Sequence, residues 1–138
     1  MGESVKRAVR AWGPAILWMG LIFYLSAQSH LPGVPEAWLD VLLKKTAHFL
    51  AYAVLARLYL RALGFHKELP VAPAALALFL AAVYAATDEF HQSFVPGRTP
   101  SLADWLIDGG GAGAGLLISR LVGRLRPVSR TGLGPDNG

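Results

Sequence analysis

Between Asp88 and Asp108 the chain gathers most of its chemically capable side chains: Asp88, Glu89, His91, Gln92, Arg98, Asp104 and Asp108. A second group, Lys45, His48 and Tyr52, is spaced i, i+3 and i+7, which places all three on one stripe of an α-helix. Two chemistries suit these residue types. In the first, Arg98 and Lys45 supply cations for a phosphate or carboxylate. Asp88, Glu89 and Asp104 balance and orient them, and Tyr52, Gln92 and Asp108 complete the binding surface. In the second, His48 and His91 act as acid and base beside Asp88 and Glu89 on an ester or phosphoester, with Arg98 stabilising developing negative charge. No serine or cysteine motif marks a covalent nucleophile. A metal version would use both histidines with Asp88 or Glu89, but these are not spaced as a compact H-E-x-x-H motif. No metal and no other cofactor is therefore assigned. A purely structural network of mutually satisfied ions uses the same residues and stays open.

The elements that must position these groups read as membrane spans. The chain has 138 residues, of which 54% are hydrophobic and 16% charged, well below the roughly 25% charged residues of soluble domains. Four apolar segments come close to the roughly 17–25 residues that cross hydrocarbon as a helix. They run from about Ala11 to Ala27, Lys45 to Leu63, Val71 to Phe90 and Leu102 to Val122. The first also carries features of a signal peptide, with Lys6, Arg7 and Arg10 ahead of the apolar run and Ser26-Ala27 as small residues. Pro14 is expected in its first turn, where a missing N–H costs little. One domain over residues 1–126 is expected, followed by a disordered tail over 127–138 rich in Gly, Ser and Pro. The fold class is all-α, an integral membrane bundle of four transmembrane helices.

Orientation follows from the basic residues, which collect on cytoplasmic flanks. With both termini cytoplasmic, ten of the thirteen Lys and Arg lie inside and only Lys44, Lys45 and Arg98 outside. The polar groups then face outward at the cytoplasmic (inner) membrane of a multi-pass protein. Net charge of +4 does not indicate nucleic acid, because the basic residues flank apolar segments instead of lining an aromatic-bearing face. With no cysteine, disulfides and thiol chemistry are excluded.

Helical spacing brings three polar stripes to the outer end. Tyr84, Asp88 and His91 share one face of the third segment, with Glu89 and Gln92 beside them. Asp104, Asp108, Gly111 and Gly115 follow one stripe of the fourth. Charged groups near hydrocarbon cost about 2.5–3.5 kcal/mol each on insertion scales, so Arg98 is expected to pair with a carboxylate of Asp88, Glu89 or Asp104. Asp104 also suits a Ser-x-x-acid capping box with Ser101. Lys45 and Lys44 suit snorkelling, the latter with Asp40 four residues earlier as partner. Tyr52 and Tyr84 read equally as packing residues with a satisfied hydroxyl, Trp38 as an interfacial anchor, and His30 and His66 as solvated. Gly109 to Gly113 and Gly111 to Gly115 are small-xxx-small patterns that fit packing within the bundle or a weak homodimer through the fourth helix.

Lys45-x-x-His48-x-x-x-Tyr52, followed by Asp88-Glu89-x-His91-Gln92-x-Phe94-x-Pro96-Gly97-Arg98, then Asp104 and a Gly-rich helix, resembles the VanZ-like family of small bacterial membrane proteins. Phe23-Tyr24-Leu25-Ser26-Ala27-Gln28-Ser29 resembles its opening motif, and the likeness runs from about Ile22 to Leu116. Two positions depart from the pattern, Lys44 where the family usually has an acid and Asp108 where it usually has asparagine. The resemblance implies a protein acting at the cell envelope, with a founding member linked to teicoplanin resistance, and implies no settled reaction. Its expected partners are membrane lipids and a lipid-linked envelope precursor.

Overall fold

A computed structural model describes residues 2–29, 32–66, 69 and 71–125; the expected tail over 127–138 and the solvated His30 lie outside the described residues. The described chain is all-helical, with four helices: α1 Glu3–Ser26, α2 Ala37–Leu63, α3 Pro73–Gln92 and α4 Leu102–Leu125. At 1.5 Å per residue they are about 36, 40, 30 and 36 Å long, each enough to reach across a hydrocarbon core of about 30 Å. By length and composition together, α1 and α3 qualify as candidate membrane spans.

Both α1 and α2 begin well ahead of the apolar runs that announce them. Hydropathy marks only where a helix is greasy, and the polar flanks continue the helix on local pairs. Lys6 bonds Glu3 at 2.9 Å, and Lys44 bonds Asp40 at 2.6 Å, the i, i+3 and i, i+4 geometry that supports helices. That second bond holds the Asp40 carboxyl below its ordinary pKa. Because α1 starts at Glu3, Pro14 lies inside the helix and not in its first turn. The ring leaves one carbonyl in the preceding turn without its helical donor, a defect that membrane helices tolerate through local adjustment.

Alanines make up about half of the buried core, beside Ile22, Tyr52, Leu55, Tyr59 and Leu63, while many large apolar side chains face outward. Ala77, Ala81 and Ala85 form the buried stripe of α3, joined by Ala15, Ala56 and Ala112 from the other helices. Leu17, Phe79, Phe90 and Leu102 are each more than 60% exposed. Small residues let helix backbones approach where hydrophobicity supplies no drive between helices.

Helix α2 is the hub, packed against all three others, with α4 as its main partner. A Cβ at Gly111 would overlap the Phe49 carbonyl, and one at Gly115 that of Ala53, so these two glycines set the α2–α4 crossing. Gly109 and Gly113 meet nothing within contact range and take no part in it. Side chains then bond backbone across the helix seams: Trp18 Nε1 donates to the Ala51 carbonyl at 2.9 Å, Tyr84 Oη to Met19 at 2.6 Å and Trp105 Nε1 to Ala82 at 3.0 Å. At the opposite end from the polar stripes, His66 is exposed but not free of partners, since Trp12 Nε1 donates to its Nε2 at 3.3 Å.

Candidate functional site

The buried face of α3 changes character along its length, from Ala77, Ala81 and Ala85 to Asp88, Glu89 and Gln92. The alanine stripe lets α3 approach its neighbours closely, and the same face therefore delivers its polar end into the bundle. Asp88 is bound on one side: its Oδ2 accepts from Ser26 Oγ at 2.8 Å and from Gln92 Nε2 at 3.1 Å. Ser26 closes α1; in the sequence it stands out as a small residue ahead of Ala27 and as part of the Phe23–Ser29 motif, not as a partner of Asp88. Its hydroxyl is the link by which α1 is tied to the polar end of α3.

Helix α4 opens on a cap assembled from two elements. Ser101 Oγ accepts the Asp104 N–H at 3.1 Å and donates to Asp104 Oδ2 at 2.8 Å. The Ser101 N–H is taken by Glu89 Oε2 at 3.0 Å. Glu89 thus satisfies an orphan donor of α4 from across the bundle, the task a capping-box acid performs within its own helix. Asp104 also forms an ion pair with Lys45, which joins α4 to α2 at the same level.

One turn deeper, Asp108 has no solvent exposure, and its Oδ1 lies 3.3 Å from His48 Nδ1. The rings of His48 and Tyr52 are stacked with centroids 6.5 Å apart. Lys45, His48 and Tyr52 therefore do form a stripe on α2, facing the Asp104 and Asp108 stripe of α4.

Among the described residues Arg98 pairs with no carboxylate, neither Asp88, Glu89 nor Asp104. Its Nε donates to the Gln28 carbonyl at 3.4 Å and a terminal nitrogen to that of Leu25 at 3.5 Å. These groups sit at and just beyond the end of α1, where carbonyls lack the regular i+4 donor, the Leu25 carbonyl taking the Gln28 N–H at 3.2 Å instead, and where a cation is favoured by the dipole. The turn that brings Arg98 there includes Gly97, the described glycine with positive φ, at 81°.

Around these residues lies a cleft of about 140 Å³, lined by Lys44, Lys45, His48, Glu89, Gln92, Arg98, Asp104 and Asp108 with Val41 and Ile107. A second hollow of about 110 Å³ shares Lys44, His48 and Arg98 and reaches Ser26 and Tyr52. His91 lines neither: its ring stacks on Phe23 of α1 at 4.2 Å. The two histidines are thus not brought together as an acid and base pair. Asp88 likewise sits behind the cleft wall. Among the described residues no group of three His, Asp or Glu is arranged to hold a metal ion.

Among the described residues several buried atoms at this end of the bundle have no hydrogen-bond partner: Tyr52 Oη, Asp88 Oδ1, His91 Nδ1 and both Asp108 oxygens, of which Oδ1 has only the 3.3 Å approach of His48 Nδ1. Tyr84, by contrast, satisfies its hydroxyl on Met19, so the two tyrosines that look equivalent in sequence differ in kind.

Residues 11–123 match the VanZ/LLP1 family model, and the chain belongs to that family. No curated protein and no solved structure matches it.

Proposed function

We propose that this member of the VanZ/LLP1 family crosses the bacterial cytoplasmic membrane four times, with both termini cytoplasmic, and uses its outward-facing cleft to bind an anionic lipid or a lipid-linked envelope component. The observation that carries this reading is the convergence of Lys44, Lys45, His48 and Arg98 on one cleft. Clustered cations at a membrane interface attract phosphate and carboxylate head groups. Large exposed apolar side chains such as Trp38 and Phe94 near the same end suit an interface where head groups and hydrocarbon meet. Occupation of such a site would alter envelope chemistry and hence tolerance of a glycopeptide such as teicoplanin. The protein acts as a monomer or as a weak homodimer through the Gly109 and Gly113 face.

A specific observation favours a second reading. His48 stands against the buried Asp108 carboxylate, the arrangement by which an acid orients and polarises an imidazole for proton transfer. On that reading His48 alone, without His91, serves as the acid–base group on a lipid ester or phosphoester.

The test of the first reading is lipid retention and drug tolerance in one set of strains. Lys45→Gln and Arg98→Gln should accumulate in the membrane yet lose co-purifying anionic lipid and teicoplanin tolerance together. Unchanged lipid content and tolerance in both variants would overturn it.

A further inference from the structure

We infer that the head group taken by this cleft carries hydrogen-bond donors, hydroxyls or a protonated amine, in addition to its anionic group, and that Asp108 in the cleft, with Tyr52 in the hollow beside it, reads them. The inference deepens the lipid-binding reading and rests on it. Its ground is the division of partners inside the cleft. The lysines and Arg98 are already engaged, Lys44 with Asp40, Lys45 with Asp104 and Arg98 with two carbonyls, and His48 faces Asp108. What lacks a partner is chiefly acceptor capacity. Asp108 Oδ2 is fully buried with no partner among the described residues, Asp108 Oδ1 faces only His48 Nδ1 at 3.3 Å, and Tyr52 Oη, also fully buried, has no partner among them either.

A simple anion would be held at the mouth by Lys45 and Arg98 and would leave these deeper groups unmet. Buried acceptors without donors are costly, and a ligand that supplies the donors recovers that cost as affinity and as discrimination. Depth agrees. Asp108 lies four residues, about 6 Å, below Asp104 along α4, so a phosphate beside Lys45 places the far end of a short polar head group at Asp108. The volume of about 140 Å³, at about 30 Å³ for each water-sized group, has room for a glycerol or ethanolamine moiety.

The decisive comparison holds charge constant and changes only the donors. The full-length protein in phosphatidylcholine nanodiscs is titrated with phosphatidylglycerol, phosphatidylmethanol and phosphatidylethanolamine, with melting temperature and retained lipid as readouts. Phosphatidylglycerol and phosphatidylmethanol each carry one negative charge, but only the first has hydroxyl donors. Phosphatidylglycerol is expected to bind at least about tenfold more tightly, as one well-made charged hydrogen bond allows. Asp108→Asn, which keeps shape but halves the acceptor capacity, should shrink that ratio, and Tyr52→Phe should shrink it independently. Preference for phosphatidylethanolamine would support the inference and identify the donor as an amine. Equal binding of the two anionic lipids overturns the inference and leaves lipid binding standing; binding of none of the three overturns both.

Discussion

His48 Nδ1 and Asp108 Oδ1 face each other at 3.3 Å across the α2–α4 seam, one from a partly exposed ring and the other from a carboxylate with no exposure at all. The contact couples the two helices through a polar pair as well as through glycine packing. A double-mutant cycle with His48→Asn and Asp108→Asn should therefore return an interaction energy of about 1 kcal/mol or more in chemical or thermal unfolding. Additive losses would mean that the two groups are neighbours without being partners.

Arg98 predicts a different pattern, because its bonds go to backbone. Arg98→Ala removes both donors from the end of α1 and should destabilise the protein by about 1–3 kcal/mol. Arg98→Lys keeps the charge but not the planar fork that spans two carbonyls, so its melting temperature should fall between those of wild type and Arg98→Ala. If Arg98→Ala melts with the wild type, the tie between the α3–α4 loop and α1 carries no stability.

These two pairings show which parts of the site were legible beforehand. Helical spacing was enough to put Lys45, His48 and Tyr52 on one stripe and Asp104 and Asp108 on another, because α-helical periodicity is rigid and local. It was not enough for Arg98, which stands in a loop where one turn with positive φ at Gly97 decides the direction of the side chain. Counting opposite charges favoured a carboxylate for Arg98, whereas the carbonyls at the end of α1 have no charge to count. His91 failed for a related reason: sharing a helix face with Asp88 says nothing about which neighbouring helix that part of the face meets, and here it meets Phe23. Helix existence followed from the apolar runs, but the starts of α1 and α2 did not, since both continue on charged pairs that hydropathy does not register.

Glycines on α4 should separate into two classes. Gly111→Ala and Gly115→Ala each drive a Cβ into the backbone of α2, and overpacking of this kind costs about 1–3 kcal/mol or more. Gly109→Ala and Gly113→Ala add a methyl group in open space and should leave the monomer unharmed or stabilise it by up to about 1 kcal/mol, the helix-propensity gain of Ala over Gly. Thermal melting of the four variants checks the division. If the Gly109 and Gly113 face instead mediates a homodimer, those two variants should lower the dimer fraction measured by single-molecule photobleaching in nanodiscs.

Topology is open to a direct chemical test because the chain has no cysteine. Ser29→Cys, just past the end of α1 on the side of Arg98, should react with an impermeant maleimide in intact cells. Ser4→Cys, in the first turn of α1, should react only after lysis. Labelling of Ser4→Cys in intact cells, with Ser29→Cys protected, would turn the cleft toward the cytoplasm and remove an outer-leaflet ligand from consideration.

Glu89 separates scaffolding from function most cleanly, because its two roles respond to different substitutions. The Glu89 Oε2 atom accepts the Ser101 N–H at 3.0 Å, a bond that the amide oxygen of glutamine can also accept. Glu89→Gln should therefore keep the start of α4 capped and melt close to wild type, while Glu89→Ala leaves the donor unmet and should cost about 0.5–2 kcal/mol. If the negative charge of Glu89 helps to orient the cations or the ligand of the cleft, Glu89→Gln will lose lipid retention and drug tolerance without losing stability. Equal retention in wild type and Glu89→Gln, with loss confined to Glu89→Ala, would assign Glu89 to the cap of α4 alone and narrow the working groups of the cleft to Lys45, His48, Arg98 and Asp108.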